Sequence, residues 1–305
     1  MEHVEHTVVP YGGWKRCLRI SNGLFELVIT LDVGPRVIRC GFKGDRNHFV
    51  EYPEQMGRTG DAEYHSYGGH RLWIAPEERP RTYYPDNHPV DWNHSGDWFH
   101  FRPPAETIGF QKELRVRMES ERPVAHLQHR ITNLSHEPQK ISAWALSVMA
   151  AGGTAVFPHE PFQPHTEQLL PVRPLVLWSY TDMTDKRWKW GRNLISLAQD
   201  AAFATPQKIG AFNTPGWATY FNADQLFLKR FPADRNEEYP DFGCNCEFFT
   251  NQRMLELESL SPLTTLSRGE SIVHEEHWLL AGGIKPDTSE ESLRSNLETL
   301  ANSLL

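Results

Sequence analysis

The sequence has few cysteines and no long apolar run. Its 305 residues include four cysteines (Cys17, Cys40, Cys244 and Cys246), too few and too scattered for a disulfide scaffold. Cys244 and Cys246 lack the spacing and the neighbouring ligands of a zinc site. The N-terminal stretch has neither the basic nor the apolar region of a secretory signal, and no segment is long enough to cross a bilayer. These absences predict a cytoplasmic protein with reduced thiols and no membrane contact.

Basic residues are also in short supply. Lys and Arg total 31 against 39 Asp and Glu, which gives a formal net charge of −8 with His neutral. A nucleic-acid partner requires a basic face for its phosphates, so this balance argues against nucleic acid. It suits a small neutral or cationic ligand.

The motifs of several enzyme classes are missing. There is no G-x-S-x-G nucleophile elbow, no P-loop, no dinucleotide-binding fingerprint and no H-E-x-x-H helix. His159 and His165 stand six residues apart in a proline-rich loop, which is weak support for a metal. We therefore expect neither a metal ion nor another cofactor.

Aromatic residues and turn formers, by contrast, are abundant. Aromatic residues make up 11% of the chain, with ten Trp, and there are 21 Gly and 22 Pro, which favours short strands joined by many turns. Residues 16–30 (RCLRISNGLFELVIT) break at Ser21-Asn22-Gly23, a hairpin signal, and residues 35–42 predict a third strand of an antiparallel meander. Strand patterns resume near residue 110 and continue to about residue 280.

Two stretches depart from this pattern. Residues 51–105 are dense in Pro, Gly, His, Tyr and Trp without a helical period, which predicts a long ordered loop folded over one sheet. Residues 287–305 predict a C-terminal helix, capped by Asp287 or Thr288, with leucines at helical spacing. With no repeat or linker, residues 1–305 are expected to form a single all-β sandwich domain.

A His-Arg pair stands at the predicted start of a strand. Gly68 and Gly69 precede His70 and Arg71 and permit backbone conformations that larger residues resist. Arg71 offers a rigid fork of donors for hydroxyl or carboxylate oxygens, and His70 can exchange a proton near neutral pH. The alternative is a surface histidine beside a structural arginine.

Acidic residues supply the other candidates. Glu256 and Glu258 share one face of a predicted strand, where one can act as a general base or both can be solvated. Tyr239, Asp241 and Glu247 surround a proline-led turn. A further candidate is Lys208, a lone cation at the start of an apolar strand.

Four stretches in order along the chain carry a family resemblance. They are LRISNGLFELVITLDVGPRVIRCGFKGDRN, GGHRLW, HRITNLSHEPQKISAWALSVM and MLELESLSPLTTLSRGESIVHEEHWLL. Together they resemble the galactose mutarotase-like superfamily, and most closely its domain-of-unknown-function family 4380. The resemblance implies the antiparallel β-supersandwich fold of aldose 1-epimerases and a small carbohydrate as the ligand.

The resemblance also implies roles for individual residues. Glu258 matches the epimerase general base, and Arg71 matches a sugar-binding arginine. Epimerases carry their catalytic acid in a His-x-Tyr-Phe-Asn stretch, but residues 145–149 here read ALSVM. His70, ahead of His159, is then the expected acid. Lys208, Tyr239, Asp241 and Glu247 are expected to bind substrate, and Trp73, Trp92, Trp98 and Trp217 to form a stacking wall.

The expected function is therefore carbohydrate binding, with epimerase-like acid–base catalysis at an anomeric carbon. Two alternatives stay open. One is a non-catalytic sugar-binding or structural sandwich domain. The other is a carbohydrate hydrolase or lyase, which needs a second carboxylate across the bond, with Asp241 and Glu247 as candidates.

Overall fold

The computed structural model describes residues 4–284 and 289–305, and these residues form two antiparallel sheets and two helical segments. In chain order the elements are β1 (Glu5–Tyr11), β2 (Trp14–Ser21), β3 (Phe25–Thr30), β4 (Val37–Phe42), β5 (His70–Ala75), β6 (Asp91–Ser95), β7 (Trp98–Arg102), β8 (Phe110–Met118), β9 (Val124–Asn133), β10 (Gln139–Met149), β11 (Thr154–Pro158), β12 (Leu175–Leu177), β13 (Trp188–Trp190), β14 (Leu194–Ala198), β15 (Gln207–Ala211), β16 (Trp217–Asn222), β17 (Gln225–Arg230), α1 (Pro240–Gly243), β18 (Cys246–Thr250), β19 (Leu255–Leu260), β20 (Thr264–Leu266), β21 (Ser271–Gly282) and α2 (Glu290–Asn302).

The two sheets differ in strand order. The eleven-stranded sheet runs β1-β2-β3-β4-β5-β10-β19-β18-β15-β12, with β20 paired to β10. The ten-stranded sheet runs β13-β14-β11-β16-β17-β21-β9-β8-β7-β6. The apolar strand β10 lies between β5 and β19, in the middle of the eleven-stranded sheet. The fold is the predicted all-β antiparallel sandwich with a short C-terminal helix.

The first hairpin forms where Asn22 and Gly23 predict it. The Asn22 Oδ1 accepts hydrogen bonds from the backbone N–H groups of Leu24 and Phe25, each at 3.0 Å. Gly23 adopts a φ of +87°, which glycine reaches without steric cost. Strands β2, β3 and β4 then pair in sequence as the expected meander.

The segment 51–105 is more regular than its sequence predicts. It contains β5, in the middle of the eleven-stranded sheet, and the edge hairpin β6-β7 of the ten-stranded sheet. The sequence does not show the alternation of apolar and polar residues that marks a strand, because β5 is largely covered on both faces and β6 is mostly exposed. The strand predicted to start at His70 is confirmed as β5, whereas the prediction of a long ordered loop is wrong for β6 and β7.

The main core fills the space between the sheets. Phe157 of β11 stacks on Phe248 of β18 with ring centroids 3.5 Å apart, and these strands belong to opposite sheets. Phe49, Phe227 and Trp278 pack edge to face nearby. Because side chains alternate along a strand, the neighbours of these core residues on the eleven-stranded sheet point to its other, outer face.

Helix α2 packs against the ten-stranded sheet, with β17 among its contacts. Its N-cap is Ser289, whose hydroxyl accepts a hydrogen bond from the Ser292 N–H. Leu293 and Leu297 pack into a buried cluster that includes Trp217. The predicted caps Asp287 and Thr288 lie outside the described residues. Among the described helices, none has the length and apolar character of a membrane span.

Candidate functional site

The glycines ahead of β5 allow the neighbouring backbone to approach closely. Gly68 and Gly69 have φ values of +100° and +72°. A Cβ atom on Gly68 would lie 2.1 Å from the Val50 carbonyl oxygen, and one on Gly69 would lie 2.6 Å from that of Val37. Glycine is required at both positions, and the pair fixes where β5 enters the sheet.

His70 and Arg71 then point to opposite faces of β5. Arg71 faces outward, with its guanidinium 4.4 Å from the Trp73 ring centroid and its Nη1 donating to the Ser66 carbonyl. His70 faces inward, with its Nε2 2.7 Å from the Nε2 of His129 on the opposite sheet. The expected meeting of His70 with Glu258 is not found, since strand alternation places His70 between the sheets.

Strand register brings Arg71, Glu258 and Glu247 into one row on the outer face. On β10, Leu146 lies opposite Arg71 of β5 on one side and Glu258 of β19 on the other. Glu258 in turn lies opposite Glu247 of β18. Directly opposed residues in antiparallel strands project to the same side. We name the resulting group the outer-face cluster, and its members are Arg71, Trp144, Lys208, Glu247, Glu256 and Glu258.

Lys208 of β15 links two carboxyl groups of the outer-face cluster. Its Nζ lies 2.7 Å from the Glu247 Oε2 and 3.1 Å from the Glu258 Oε2. The ammonium also lies 4.9 Å from the Trp144 ring centroid and 4.6 Å from that of Trp178. The Trp144 Nε1 donates to the same Glu258 oxygen at 2.8 Å. Glu258 is therefore held from two sides through Oε2 alone.

The other Glu258 oxygen is left without a partner. Oε1 is buried and accepts no hydrogen bond from any described residue. An unsatisfied buried acceptor costs about 1–3 kcal/mol, more when it is charged. A ligand hydroxyl that donates to this oxygen would remove that cost.

Crowding of carboxyl groups shifts their proton affinities. Burial, together with the neighbouring Glu258 carboxylate, raises the pKa of Glu256 to about 7. Burial raises the pKa of Glu247 well above its usual range, although Lys208 opposes the shift. Burial also disfavours the Lys208 ammonium, but Glu258 and Glu247 outweigh it and raise the pKa of Lys208. With a pKa of about 7, Glu256 can both give and take a proton near neutral pH, as acid–base chemistry requires.

Only one of the four predicted stacking tryptophans lies at this cluster. Trp73 packs against Arg71 and Trp144. Trp217 is buried under α2, while Trp92 and Trp98 lie on the edge hairpin of the ten-stranded sheet. The two tryptophans beside Lys208, Trp144 and Trp178, are not among the predicted stacking residues. Trp144 is a single indole in an apolar strand, so its pattern indicates core.

The remaining predicted site residues are scattered. His159 follows β11 on the ten-stranded sheet, where burial and Arg173 lower its pKa to about 4. Tyr239 is buried against Phe212, and its hydroxyl accepts from the Asp234 N–H. Asp241 sits in the α1 turn and contributes to the raised pKa of Glu247. Of these three, only Asp241 borders the outer-face cluster.

His70 belongs instead to a second polar group, which we name the interior network. Its members are His70, His129, Ser147, Lys229, Ser259, His274, Glu276 and Trp278. The ligand atoms of His70, His129 and Glu276 lie within 4.8 Å of one another, a spacing that could hold a metal. The Lys229 Nζ, however, already lies 2.7 Å from the Glu276 Oε1. The carboxylate therefore has its positive partner within the chain.

A cleft also opens at the edge between the sheets. Tyr84, Asp86, Glu106, Lys112 and His129 contribute to its lining. Its acidic groups are already paired, Glu106 with Lys112 and Asp86 with Arg36, each at 2.7 Å. Glu106 Oε2, like Glu258 Oε1, is buried without a described partner, but only the outer-face cluster brings together the predicted site residues Arg71, Lys208, Glu247 and Glu258, and it is the stronger candidate site.

Comparison with known proteins identifies the fold. No protein-family model matches the chain, and no curated protein matches its sequence. A galactose mutarotase-like protein from Lactobacillus casei matches with a TM-score of 0.54 and 10% identity, over 87% of this chain and 100% of that one. A galactose mutarotase related enzyme from Lactobacillus acidophilus gives 0.55 and 10%, over 88% and 98%.

One further match belongs to a longer protein. A TPR-domain containing protein from Parabacteroides distasonis gives a TM-score of 0.58 at 11% identity, over 90% of this chain and 48% of that one. This chain thus spans about half of that protein. Together these matches show that the chain has the galactose mutarotase-like fold, as its sequence resemblance implied.

Proposed function

We propose that the protein binds a carbohydrate at the outer-face cluster and interconverts its anomers by acid–base catalysis, as an aldose 1-epimerase does. One observation carries this proposal. The Glu258 carboxylate is oriented through Oε2 by Trp144 and Lys208, while its buried Oε1 has no partner among the described residues. This arrangement positions a proton acceptor for a substrate hydroxyl.

The surroundings of Glu258 suit a polyhydroxylated ring. Carboxylate oxygens accept from sugar hydroxyls, and the Arg71 guanidinium donates to them. Trp73 and Trp178 present aromatic surface for the apolar faces of a sugar. A small number of polar groups that converge beside aromatic side chains is typical of small-molecule sites.

In the proposed reaction Glu258 takes the proton of the C1 hydroxyl. The bond between C1 and the ring oxygen breaks as that oxygen gains a proton, and the ring opens to an aldehyde. Rotation about the C1–C2 bond presents the other face of the carbonyl. Reclosure returns both protons and yields the opposite anomer.

The test is anomer exchange measured by NMR on freshly dissolved sugars, with binding followed by tryptophan fluorescence. Glu258→Gln removes the proton acceptor, so exchange should slow by about 10²–10⁴-fold, the usual contribution of a general base. Glu275→Gln, a half-buried glutamate of the ten-stranded sheet, is the matched control and should keep the wild-type rate. Uncatalysed exchange of every sugar that binds would reject the reaction.

Sugar binding without turnover is a second candidate, and the composition of β10 favours it. The outward positions of that strand beside β19 are Trp144, Leu146 and Val148. They offer no imidazole where the resembled epimerases carry their acid. Binding in the fluorescence titration without NMR exchange would select this function.

Hydrolysis by Glu247 and Glu258 has less support. The two carboxyl groups are bridged by Lys208 and do not flank an open space. Glycosidases need that space for the scissile bond.

A further inference from the structure

We infer that the Glu256 carboxyl group is the proton donor to the ring oxygen, in the place that a histidine takes in related epimerases. The inference rests on the proposed function and identifies the acid that acts together with the base Glu258. It follows from where the outward side chains of β19, β10 and β15 lie.

Glu256 and Glu258 are alternate residues on one face of β19. Their Cα atoms are therefore separated by about 7 Å, two residues of strand rise. The C1 hydroxyl and the ring oxygen are both bonded to C1, so an acid and a base must approach neighbouring atoms. Two glutamates from alternate positions of one strand can converge on such a pair.

The other ionisable groups of the cluster are poorly suited to give a proton. Lys208 is held as an ammonium between Glu247 and Glu258. Glu247 is fully buried against that ammonium. Arg71 does not deprotonate in proteins. The cluster's contacts within residues 4–284 and 289–305 include no imidazole.

Glu256 differs from these groups in its freedom. Its side chain is 12% exposed, against 0% for Glu247 and Glu258. It accepts no hydrogen bond from the described residues, and its nearest cation is Arg71, 3.8 Å from Nη2 to Oε1. Its pKa of about 7, set by burial and by Glu258, suits a group that must be protonated at neutral pH and then release the proton.

The proton balance closes with these two residues. In ring opening, ionised Glu258 gains the C1 hydroxyl proton and neutral Glu256 gives its proton to the ring oxygen. In reclosure, the hydroxyl formed from the ring oxygen returns its proton to Glu256, and Glu258 protonates the carbonyl oxygen. Each turnover restores the starting protonation states.

The experiment compares wild type, Glu256→Gln and the control Glu275→Gln by NMR anomer exchange between pH 5 and 9. The wild-type rate should fall as the pH rises through about 7, because Glu256 then loses the proton it must give. Glu256→Gln should lower exchange by about 10²–10⁴-fold and remove that decline. Sugar binding should persist, and Glu275→Gln should keep both the rate and the profile.

Two outcomes overturn the inference, and they can be told apart. If Glu256→Gln exchanges anomers at the wild-type rate with the same alkaline decline, Glu256 is not the donor and the proposed function stands. If wild type exchanges no sugar that it binds, the reaction and its donor both fall. Thermal unfolding of each variant separates a lost proton donor from a lost fold.

Discussion

Two groups of charged side chains lie on opposite faces of the eleven-stranded sheet, and they differ in how their hydrogen bonds are met. In the interior network, Lys229 donates to the Leu257 carbonyl and pairs with Glu276. Glu276 also accepts from Ser259 at 2.6 Å and from Trp278 at 2.8 Å. In the outer-face cluster, Glu258 keeps one buried oxygen without a described partner.

The contrast shows that a buried ion pair does not by itself indicate a functional site. Burial lowers the pKa of Lys229 against the attraction of Glu276. The pKa of Glu276 stays well below its usual range despite burial, because Lys229 and His70 favour its charge. We regard the pair as ionised and the network as structural. Unmet hydrogen-bonding capacity is what distinguishes the outer face.

Breaking the interior pair should have the largest effect on stability. Lys229→Met leaves the Glu276 carboxylate buried without its cation, which should cost about 3–5 kcal/mol of unfolding free energy. Urea denaturation measures the loss. The exposed Lys189→Met is the matched control and should change stability by less than about 0.5 kcal/mol.

Adding Glu276→Gln to Lys229→Met should recover part of that loss, since the uncompensated charge is then gone. A loss below about 1 kcal/mol in the single variant would contradict an ionised pair at this position.

The second-largest effect is expected from low pH, which should reduce the unfolding free energy through the histidines of the interior network. Burial lowers the pKa of His274 from 6.5 to about 3, so the unfolded chain takes up a proton below pH 6.5 that the folded chain refuses. Stability is therefore retained above pH 6.5 and falls as the pH decreases towards 3. At pH 4 this group alone should cost about 3 kcal/mol.

Unfolding in urea at pH 7, 5.5 and 4 measures that slope, and His274→Asn should flatten it. His136→Gln, at an exposed site, should leave it unchanged. An equal slope in wild type and His274→Asn would show that other groups are responsible.

The smallest effect is expected for Glu247 in the outer-face cluster. Burial raises the pKa of Glu247 well above its usual range, which favours the protonated form, and Gln resembles that neutral form in shape. Glu247→Gln should therefore change the unfolding free energy by less than about 1 kcal/mol. A loss near that of Lys229→Met would show that Glu247 is ionised in the folded protein.

Local patterns predicted the fold better than they predicted the site. Asn22-Gly23 specifies its hairpin through short-range hydrogen bonds, so sequence alone identifies it. The start of strand β5 is predicted at His70, but its extent is not, because covered faces on both sides remove the alternation of apolar and polar residues that marks a strand. Side-chain orientation depends on register between distant strands, which no local pattern contains.

The same limit applies to individual site residues. Arg71, Lys208, Glu247 and Glu258 were named from their chemistry, and the structure brings them together on one face. His70 was named beside Arg71 but faces the other way. The sequence presents Glu256 as an alternative general base to Glu258 and not as an acid, because its lack of hydrogen-bond partners among the described residues exists only in the folded chain.

The two glycines before β5 also limit how this part of the chain can change in length. Successive residues of β5 point to opposite faces of the sheet, so one residue inserted between Gly69 and His70 would exchange the faces that His70 and Arg71 occupy. The Arg71 guanidinium would then lie in the interior network, which already holds the Lys229 ammonium, and the His70 imidazole would face the carboxyl groups of the outer-face cluster. Variants of this protein should therefore tolerate substitution in β5 more readily than any insertion or deletion at its entrance.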